Sequence, residues 1–299
     1  MRHIAFMLAA ALLAGCQAGE RLSALKPPPV PTVVFISDFG LKDDSVAVCK
    51  AVMFAVEPRL RIVDLTHDVT PYDIEGAGRL IASSAGYFPP GTVFTAVIDP
   101  GVGSRRRAVA LRTKKGRFYV GPDNGLFTRV LMEEGLQEAR ALENPAYYIQ
   151  GASISSTFHG RDIFSPVSAH LARGEPLAAL GPVAAELIRL PYQPAAKDSG
   201  RLKGQVEFIE EPYGNIITNI PAALLAEAMM QKGEDLLVKI GDKKFDLPYL
   251  TTFSDVGVGR PLAVISSRGY LCLAVNQGHF GRRYQIAPGA PVEIAKKAR

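Results

Sequence analysis

The sequence feature that most restricts the fold is an apolar run that ends in a carboxylate, a glycine-rich turn and a cluster of arginines. Residues 97–106 have the sequence Val-Ile-Asp-Pro-Gly-Val-Gly-Ser-Arg-Arg. A buried strand that stops at Asp99 and turns on Pro-Gly-x-Gly places this carboxylate at the carboxyl edge of a sheet. Open α/β folds hold their ligands at that edge. The stretch therefore indicates a functional site and not a piece of core.

Two more polar clusters follow apolar runs in the same way. Residues 121–125 are Gly-Pro-Asp-Asn-Gly, and residues 157–162 are Thr-Phe-His-Gly-Arg-Asp. Either cluster alone is typical of a solvated turn. Because three such clusters follow three apolar runs, we expect them to share one cleft.

The N-terminal part alternates strand patterns with helix patterns. The β-branched run at residues 32–36 is typical of a strand buried on both faces of a parallel sheet, and Asp38 follows it. Behind a polar Asp-Asp-Ser triplet, apolar residues recur at helical spacing over residues 46–56. We expect further strands at residues 61–65, 92–98, 108–112 and 117–120 and further helices at 73–85 and 165–172. This alternation predicts an α/β domain with a central, mostly parallel sheet.

The pattern changes near residues 190–200, a polar segment with prolines that is typical of a domain linker. Short strand candidates follow, separated by Gly, Asp and Pro turns, at residues 202–209, 235–240, 262–266 and 270–275. Such spacing predicts a small antiparallel β-barrel. We therefore expect an α/β N-terminal domain at residues 32–192 and a β-barrel C-terminal domain at residues 201–296.

The first residues resemble a bacterial lipoprotein signal peptide. A short basic region precedes an apolar run that is too short for a membrane-spanning helix, and Leu-Ala-Gly then precedes Cys16. We expect residues 1–16 to be a signal peptide that ends at a lipidated Cys16, and residues 17–31 to be a proline-rich tether. An ordinary secretory peptide that happens to contain a cysteine is the alternative. The prediction is an exported lipoprotein, anchored to a membrane on the periplasmic side.

Composition agrees with a globular body, since 47% of the residues are hydrophobic and 21% are charged. The net charge of +5 is spread thinly, and the longest basic run is Arg105-Arg106-Arg107, so nucleic-acid binding is not indicated. Cys49 and Cys272 lie in apolar patterns. Although cysteines of exported proteins can pair, we expect both to be buried free thiols.

The carboxylates at the strand ends raise the hypothesis of a metal site, because clustered carboxylates suit Mg²⁺ or Mn²⁺. Arg106 and Arg161 accompany them, however, and a guanidinium neutralises the charge that a cation would need. Histidines are too few for a zinc set. No Gly-x-Ser-x-Gly motif marks a nucleophilic serine. An Asp-Arg-His group that activates water by positioning and electrostatics, without a metal, remains.

The motifs together resemble those of the S-adenosyl-L-methionine (SAM) hydroxide adenosyltransferase family, metal-free SAM hydrolases related to the SAM-dependent chlorinases and fluorinases. The resemblance extends from residue 33 to residue 293. The motifs are Ser-Asp-Phe-Gly-x-x-Asp, Asp-Pro-Gly-Val-Gly, Pro-Asp-Asn-Gly, Thr-Phe-His-Gly-Arg-Asp, Tyr-Gly-Asn-Ile-Ile-Thr-Asn-Ile and Ser-Ser-Arg-Gly-Tyr-Leu.

The resemblance implies an α/β domain and a small β-barrel domain in a homotrimer, with each active site between the N-terminal domain of one subunit and the C-terminal domain of the next. It implies that water replaces methionine at C5′ of the ribose, giving adenosine and L-methionine. SAM is then the substrate, and no cofactor is needed. By motif position, the triad that activates the water falls on Asp99, Arg106 and His159.

The resemblance also implies contacts with each part of the substrate. Asp38 would bind the two ribose hydroxyls, one with each carboxylate oxygen. Glu210 replaces a family aspartate near the methionine ammonium, and Tyr213 stands where the halogenases have phenylalanine. The positions implied are Asp38, Tyr72 and Phe158 for the ribose; Asp43, Ser45, Glu210, Ser267 and Arg268 for the methionine; Tyr213, Phe253, Asn276 and Gln277 around the adenine; and Asn215 as a further substrate-binding residue.

Two departures from the fluorinase pattern favour water over halide. Fluorinases have Tyr-Pro-Ala-Thr-Gly and Phe-Tyr-Ser-Arg where this chain has Asp-Pro-Gly-Val-Gly and Phe-His-Gly-Arg. A desolvated halide is already anionic and needs no base. Two alternatives stay open. One is a chlorinase-like SAM-dependent halogenase, because residues 43–50 and 70–73 follow the halogenase sequence closely; the other is a lipoprotein that binds a nucleoside or SAM without turnover.

Overall fold

The computed structural model describes residues 30–297, and these divide after Leu190 into two compact units. The expected signal peptide, Cys16 and nearly all of the tether lie outside the described residues. Within the described part of the chain, no helix is long and apolar enough to cross a membrane.

The N-terminal unit is built on a sheet that, within the described residues, has six strands in the order β2-β1-β3-β5-β4-β6. The strands are β1 (Thr32–Ser37), β2 (Arg61–Thr66), β3 (Val93–Val97), β4 (Ala108–Thr113), β5 (Phe118–Pro122) and β6 (Leu136–Ala141). Pairing is parallel from β2 through β5, and β4 is antiparallel to both of its neighbours. The expected α/β domain with a mostly parallel sheet is confirmed, and β4 is the strand of the described part that runs against the others.

Helices cover both faces of this sheet. They are α1 (Ser45–Val56), α2 (Ile74–Ala85), α3 (Thr128–Glu134) and α4 (Ser165–Ala172), with a π-helical turn, Gly160–Phe164, directly before α4. Val33 and Phe35 of β1 pack with residues of α1 and α4. Val34 and Ile36 pack on the opposite face with residues of α2 and α3. Because successive side chains of a strand point to opposite faces, this continuous apolar run serves two cores at once.

The C-terminal unit is an antiparallel, nearly closed barrel in the order β11-β10-β14-β8-β9-β13-β12, with β7 beside β8. The strands are β7 (Ala196–Asp198), β8 (Arg201–Glu210), β9 (Asn215–Pro221), β10 (Asp235–Ile240), β11 (Lys243–Pro248), β12 (Pro261–Ile265), β13 (Tyr270–Val275) and β14 (Pro291–Lys296). A bridge from Tyr249 to Ala263 brings the two edge strands together. Two short helices, α5 (Ala222–Glu227) and α6 (Phe280–Tyr284), complete this unit. The expected β-barrel is confirmed.

Both cysteines of the folded body are buried and unpaired, as expected: Cys49 in α1 and Cys272 in β13. Burial raises the pKa of each thiol to about 12. Since the thiolate is the reactive form, neither side chain is suited to nucleophilic chemistry.

Candidate active site

The loop after β3 places Asp99 at the carboxyl edge of the sheet and returns Arg106 to it. Arg106 donates from Nε to Asp99 Oδ1 at 2.8 Å and from Nη2 to Asp99 Oδ2 at 2.5 Å. Only 9% of the Arg106 side chain and 5% of the Asp99 side chain are exposed. A bidentate pair with so little access to water fixes both groups relative to the sheet.

A glycine in this loop allows it to pack against the segment that carries the next candidate group. Gly103 has a φ of +75°, and a Cβ atom there would lie 2.3 Å from the carbonyl oxygen of Ser156. Only glycine fits this position. The close approach brings the loop after β3 next to the residues that precede His159.

His159 joins the pair through the same guanidinium. Arg106 Nη2 lies 2.7 Å from His159 Nδ1. Because a guanidinium has donors only, Nδ1 accepts this bond, and the proton of the neutral ring is on Nε2. Burial and the charge of Arg106 lower the pKa of His159 from its ordinary value of 6.5. At neutral pH the imidazole is therefore uncharged and presents Nε2–H as a donor.

The π-helical turn that follows His159 is held by an ion pair whose carboxylate is buried. Arg161 donates from Nε to Asp162 Oδ1 at 2.6 Å and from Nη2 to Asp162 Oδ2 at 3.1 Å. Asp162 is fully buried and also accepts from the backbone nitrogen of Ser155 at 2.8 Å. These bonds fix the segment that presents His159, and π-turns of this kind often occur at functional sites.

The polar groups of the Pro-Asp-Asn-Gly cluster have partners around the end of β3 and beyond it. Asp123 pairs with Arg107 at 2.5 Å and accepts from the backbone nitrogen of Ile188 at 2.8 Å. Asn124 Nδ2 donates to the carbonyl of Ile98 at 2.9 Å, directly before Asp99. Asn124 thus supports the backbone that carries Asp99, and a shared cleft for all three clusters stays a prediction.

Across residues 30–297, no group of three or more His, Cys, Asp or Glu side chains is arranged to hold a metal ion. Two of the carboxylates that suggested a metal have cationic partners: Asp99 pairs with Arg106, and Asp162 pairs with Arg161.

The residues expected at the ribose lie around the end of β1. Asp38 Oδ2 accepts from the backbone nitrogen of Tyr72 at 2.9 Å. Tyr72 has a φ of +68°, and 70% of its side chain is exposed. A bulky residue held in the left-handed region stores strain, which concentrates at binding sites. Phe39, next to Asp38, contacts Phe158 edge to face with ring centroids 5.6 Å apart.

Asp43 and Ser45 contact each other at the start of α1. Asp43 Oδ1 accepts from the backbone nitrogen of Ser45 at 2.9 Å, and this bond lowers the pKa of the exposed carboxyl. The bond is local and shapes the turn into the helix. Their role towards methionine stays a prediction.

The C-terminal unit contains a cleft of about 880 Å³. Two of its lining rings are unusually open, since 68% of Tyr213 and 42% of Phe253 are exposed. Large aromatic side chains left exposed around a concave surface are typical of ligand sites. The predicted residues that line it are Glu210, Tyr213, Asn215, Phe253, Ser267, Asn276 and Gln277.

Some of these side chains have partners inside the unit. Asn215, which is buried, donates from Nδ2 to Glu210 Oε2 at 3.0 Å. Asn276 donates from Nδ2 to the carbonyl of Val256 at 2.7 Å, so it also ties down a neighbouring loop. Gln277 has a φ of +51°, the same uncommon region as Tyr72.

Arg268 differs from the other predicted residues. Its guanidinium lies over the Phe208 ring, 5.7 Å from the centroid, and the residue is not part of the cleft lining. Its contact with the methionine carboxylate stays a prediction.

Sequence reasoning missed several residues that line the cleft. His279 caps α6 by accepting from the backbone nitrogen of Arg282 at 3.0 Å, and its Nε2 lies 3.2 Å from Glu211 Oε2. The missed lining residues include Thr251, Thr252, Ser266, His279 and Arg282. Ser266 begins the Ser-Ser-Arg-Gly-Tyr-Leu motif, whereas the others lie in a loop after β11 and at the start of α6, outside the motifs.

Comparison with known proteins places both units in one family. The N-terminal domain model of the SAM hydroxide adenosyltransferases matches residues 33–181, and the C-terminal domain model matches residues 204–293. A protein named (R)-S-adenosyl-L-methionine hydrolase from Thermus thermophilus is 38% identical, covering 88% of this chain and 98% of the relative. A protein named fluorinase from Actinoplanes sp. (strain N902-109) is 36% identical, covering 89% of this chain and 98% of the relative.

A solved structure supports the fold over the same range. An uncharacterized conserved protein from Thermotoga maritima is similar with a TM-score of 0.85 and 35% identity, covering 88% of this chain and 99% of that protein. The motifs at the ends of β1 and β3, the two domain matches and these identities agree. The chain belongs to the SAM hydroxide adenosyltransferase family.

Proposed function

We propose that this protein hydrolyses SAM to adenosine and L-methionine. The observation that carries the proposal is the position of Arg106, whose guanidinium holds the carboxylate of Asp99 and the neutral imidazole of His159 at once. The 38% identity to a relative named as a SAM hydrolase supports the same reaction.

The chemistry explains why such a group would be needed. The sulfonium of SAM is already a good leaving group, whereas water, with a pKa of about 15.7, is a poor nucleophile. The protein must therefore place a water molecule in line with the C5′–S bond and accept the proton that this water loses as it attacks.

The hydrogen bonds suggest a separate role for each member of the triad. Neutral His159 has Nδ1 occupied by Arg106 and a proton on Nε2, so it orients the water as a donor and does not act as the base. Asp99 is the proton acceptor, and Arg106 fixes both. As the oxygen–C5′ bond forms, the C5′–S bond breaks, its electron pair stays on the sulfur of methionine, and the water proton passes to Asp99 and then to solvent.

Each unit contributes to substrate binding in this proposal. Asp38 in the N-terminal unit receives the two ribose hydroxyls. In the C-terminal unit, Tyr213 and Phe253 supply exposed aromatic faces for the adenine.

Halide transfer is the second candidate, and the 36% identity to a relative named as a fluorinase favours it. The hydrogen bonds of the N-terminal unit favour water instead. A desolvated halide is already anionic and needs no base, so the carboxylate and imidazole that Arg106 holds would have no function in halide transfer. Water suits this arrangement better.

Reaction in ¹⁸O-labelled water tests the proposal. We expect adenosine that carries the heavy oxygen at O5′, because water attacks C5′ directly. Arg105→Ala, which removes the exposed neighbour of Arg106, should give the same product at a similar rate. Adenosine without the label, or no adenosine from SAM, would contradict the proposal.

A further inference from the structure

We infer that His67 is a positioning residue that sets the orientation of Asp38 from outside the substrate site. This inference rests on the proposed function, in which Asp38 binds the ribose hydroxyls. It concerns how that carboxylate is aimed, and no motif in the sequence indicated it.

His67 is the centre of a chain of hydrogen bonds beneath the end of β1. Ser37 Oγ lies 2.7 Å from His67 Nδ1, and His67 Nε2 lies 3.1 Å from Asp64 Oδ1. Lys50 Nζ donates to Asp64 Oδ2 at 2.6 Å. The ring of His67 also packs edge to face on Phe35, with centroids 4.6 Å apart. The imidazole is thus held by polar bonds at both nitrogens and by an aromatic face.

The order Ser-His-Asp matches that of a hydrolase triad, but burial excludes a nucleophilic role for the serine. Ser37 is 0% exposed and His67 is 4% exposed. A hydroxyl without accessible surface cannot attack a substrate. The arrangement can instead hold the backbone around it.

The donor and acceptor roles follow from Asp64. A carboxylate accepts only, so His67 Nε2 carries the proton and Nδ1 accepts from the Ser37 hydroxyl. Burial lowers the pKa of His67 from its ordinary value of 6.5, which keeps the ring in this neutral form.

The consequence reaches the residues on both sides of Asp38. Ser37 Oγ, oriented by His67, accepts from the backbone nitrogen of Phe39 at 3.4 Å. The carbonyl of His67 accepts from the backbone nitrogen of Gly40 at 2.7 Å. The side chain and the backbone of one buried histidine therefore fix the turn in which Asp38 lies.

This position predicts an effect on binding and not on chemistry. Two ribose hydroxyls require a carboxylate at a defined angle, and a small rotation of the turn would lose one of the two bonds. Because these hydroxyls do not react, the loss is the same in the ground state and the transition state. We expect KM to rise and kcat to stay the same.

Substitutions at His67 separate its two bonds. His67→Asn keeps a polar group near the position of Nδ1, facing Ser37, whereas His67→Gln places its amide nearer to Nε2, facing Asp64. His67→Phe keeps the ring and loses both bonds. The matched control is His170→Phe, since His170 also packs edge to face on an aromatic ring, Tyr147, at 5.0 Å.

The test is calorimetric binding of adenosine and of 2′,3′-dideoxyadenosine to the full-length protein. We expect His67→Gln and His67→Phe to weaken adenosine binding by about tenfold and to leave dideoxyadenosine binding unchanged, the loss of roughly one hydrogen bond to a charged group. His67→Asn should restore most of the adenosine affinity, and His170→Phe should alter neither affinity. With SAM, KM should rise by a similar factor while kcat stays within about twofold.

The other outcomes would contradict the positioning role of His67 or the ribose role of Asp38. Equal weakening of both ligands, or no weakening, would contradict the positioning role, because a general loss of structure does not distinguish the hydroxyls. Ser37→Ala, a smaller change, should reproduce the selectivity of His67→Gln, and its failure to do so would also contradict that role. A wild-type protein that binds adenosine no better than dideoxyadenosine would contradict the ribose role of Asp38, and with it both this inference and that part of the proposed function.

Discussion

The two units hold their candidate groups in opposite ways. In the N-terminal unit, the side chains of Asp99 and Arg106 are almost fully buried, and Arg106 bonds directly to both Asp99 and His159. In the C-terminal unit, Tyr213 and Phe253 stand exposed around a wide cleft. Groups that act on a developing charge must be oriented before the substrate arrives, whereas a planar base can be bound by aromatic surface alone. In the proposed function, the N-terminal unit therefore supplies the reacting groups and the ribose contact, and the C-terminal unit supplies the adenine contact.

Removing a triad member should give the largest effect. We expect Asp99→Ala or His159→Ala to lower kcat by about 10²–10⁴-fold, because the water loses its proton acceptor or its donor. Adenosine affinity, measured by calorimetry, should change little. An equal loss of adenosine affinity would make these residues structural and remove the contrast between the units.

Removing an exposed aromatic ring from the cleft of the C-terminal unit should have a smaller effect, and on KM instead of kcat. We expect Tyr213→Ala and Phe253→Ala each to raise KM for SAM by about tenfold with kcat nearly unchanged, since stacking a base on an aromatic ring contributes about 1–3 kcal/mol. Tyr87→Ala is the control, because Tyr87 is also an exposed tyrosine, at 65%, and lies in the other unit. A fall in kcat without a change in KM would place these rings at the reacting atoms.

The pH dependence of kcat should report the protonation of His159. Protonated His159 carries a proton on both nitrogens, so Nδ1 can no longer accept from Arg106. Because burial and Arg106 lower the pKa of His159, kcat should stay constant from neutral pH down to about 6.5 and fall only below that, as the pH drops through the folded pKa. Steady-state rates between pH 4.5 and 8 measure this. A kcat that is highest in acid would contradict the neutral form.

The stability of the two units should diverge in acid. Within the described residues, the histidines whose pKa is lowered, chiefly by burial, all belong to the N-terminal unit: His67, His159 and His170. Between the folded pKa and 6.5, the unfolded chain binds more protons, so stability is lost as the pH falls through that window. Hydrogen exchange should show peptides from residues 30–190 losing protection before those from 191–297. The reverse order would contradict this.

Chelation should have the smallest effect. We expect activity to survive EDTA, because the buried carboxylates are neutralised by arginines and the proposed step needs no metal. If EDTA abolished the activity and Mg²⁺ or Mn²⁺ restored it, these carboxylates would form a metal site and the proposed step would be contradicted.

The fold could be predicted where burial makes the pattern simple. Strands β1 and β3 are continuous apolar runs because both faces of the parallel sheet are covered. β9 was missed because its Thr218 and Asn219 are buried polar residues that bond to Leu271 and Gln205. Strand β11, largely charged and exposed, has the composition of a loop.

The candidate site could be predicted as motifs but not as geometry. Asp99 and His159 each stand in a recognisable cluster, whereas the bond from Arg106 to His159 spans 53 positions. The hydrogen-bond chain at His67 could not be predicted because His67 lies in none of the motifs, and only the pairing of β1 with β2 brings it next to Ser37. The sequence thus identifies which residue types could act, and only the fold shows which of them form hydrogen bonds with each other.

Product analysis with SAM in halide-free buffer and again with chloride, bromide or fluoride tests the central claim most directly. If Asp99 and His159 activate water, the products are adenosine and L-methionine under every condition, and halide does not change the rate. A 5′-halogenated adenosine would contradict the claim and assign the protein to halide transfer, and SAM binding without any product would contradict catalysis itself.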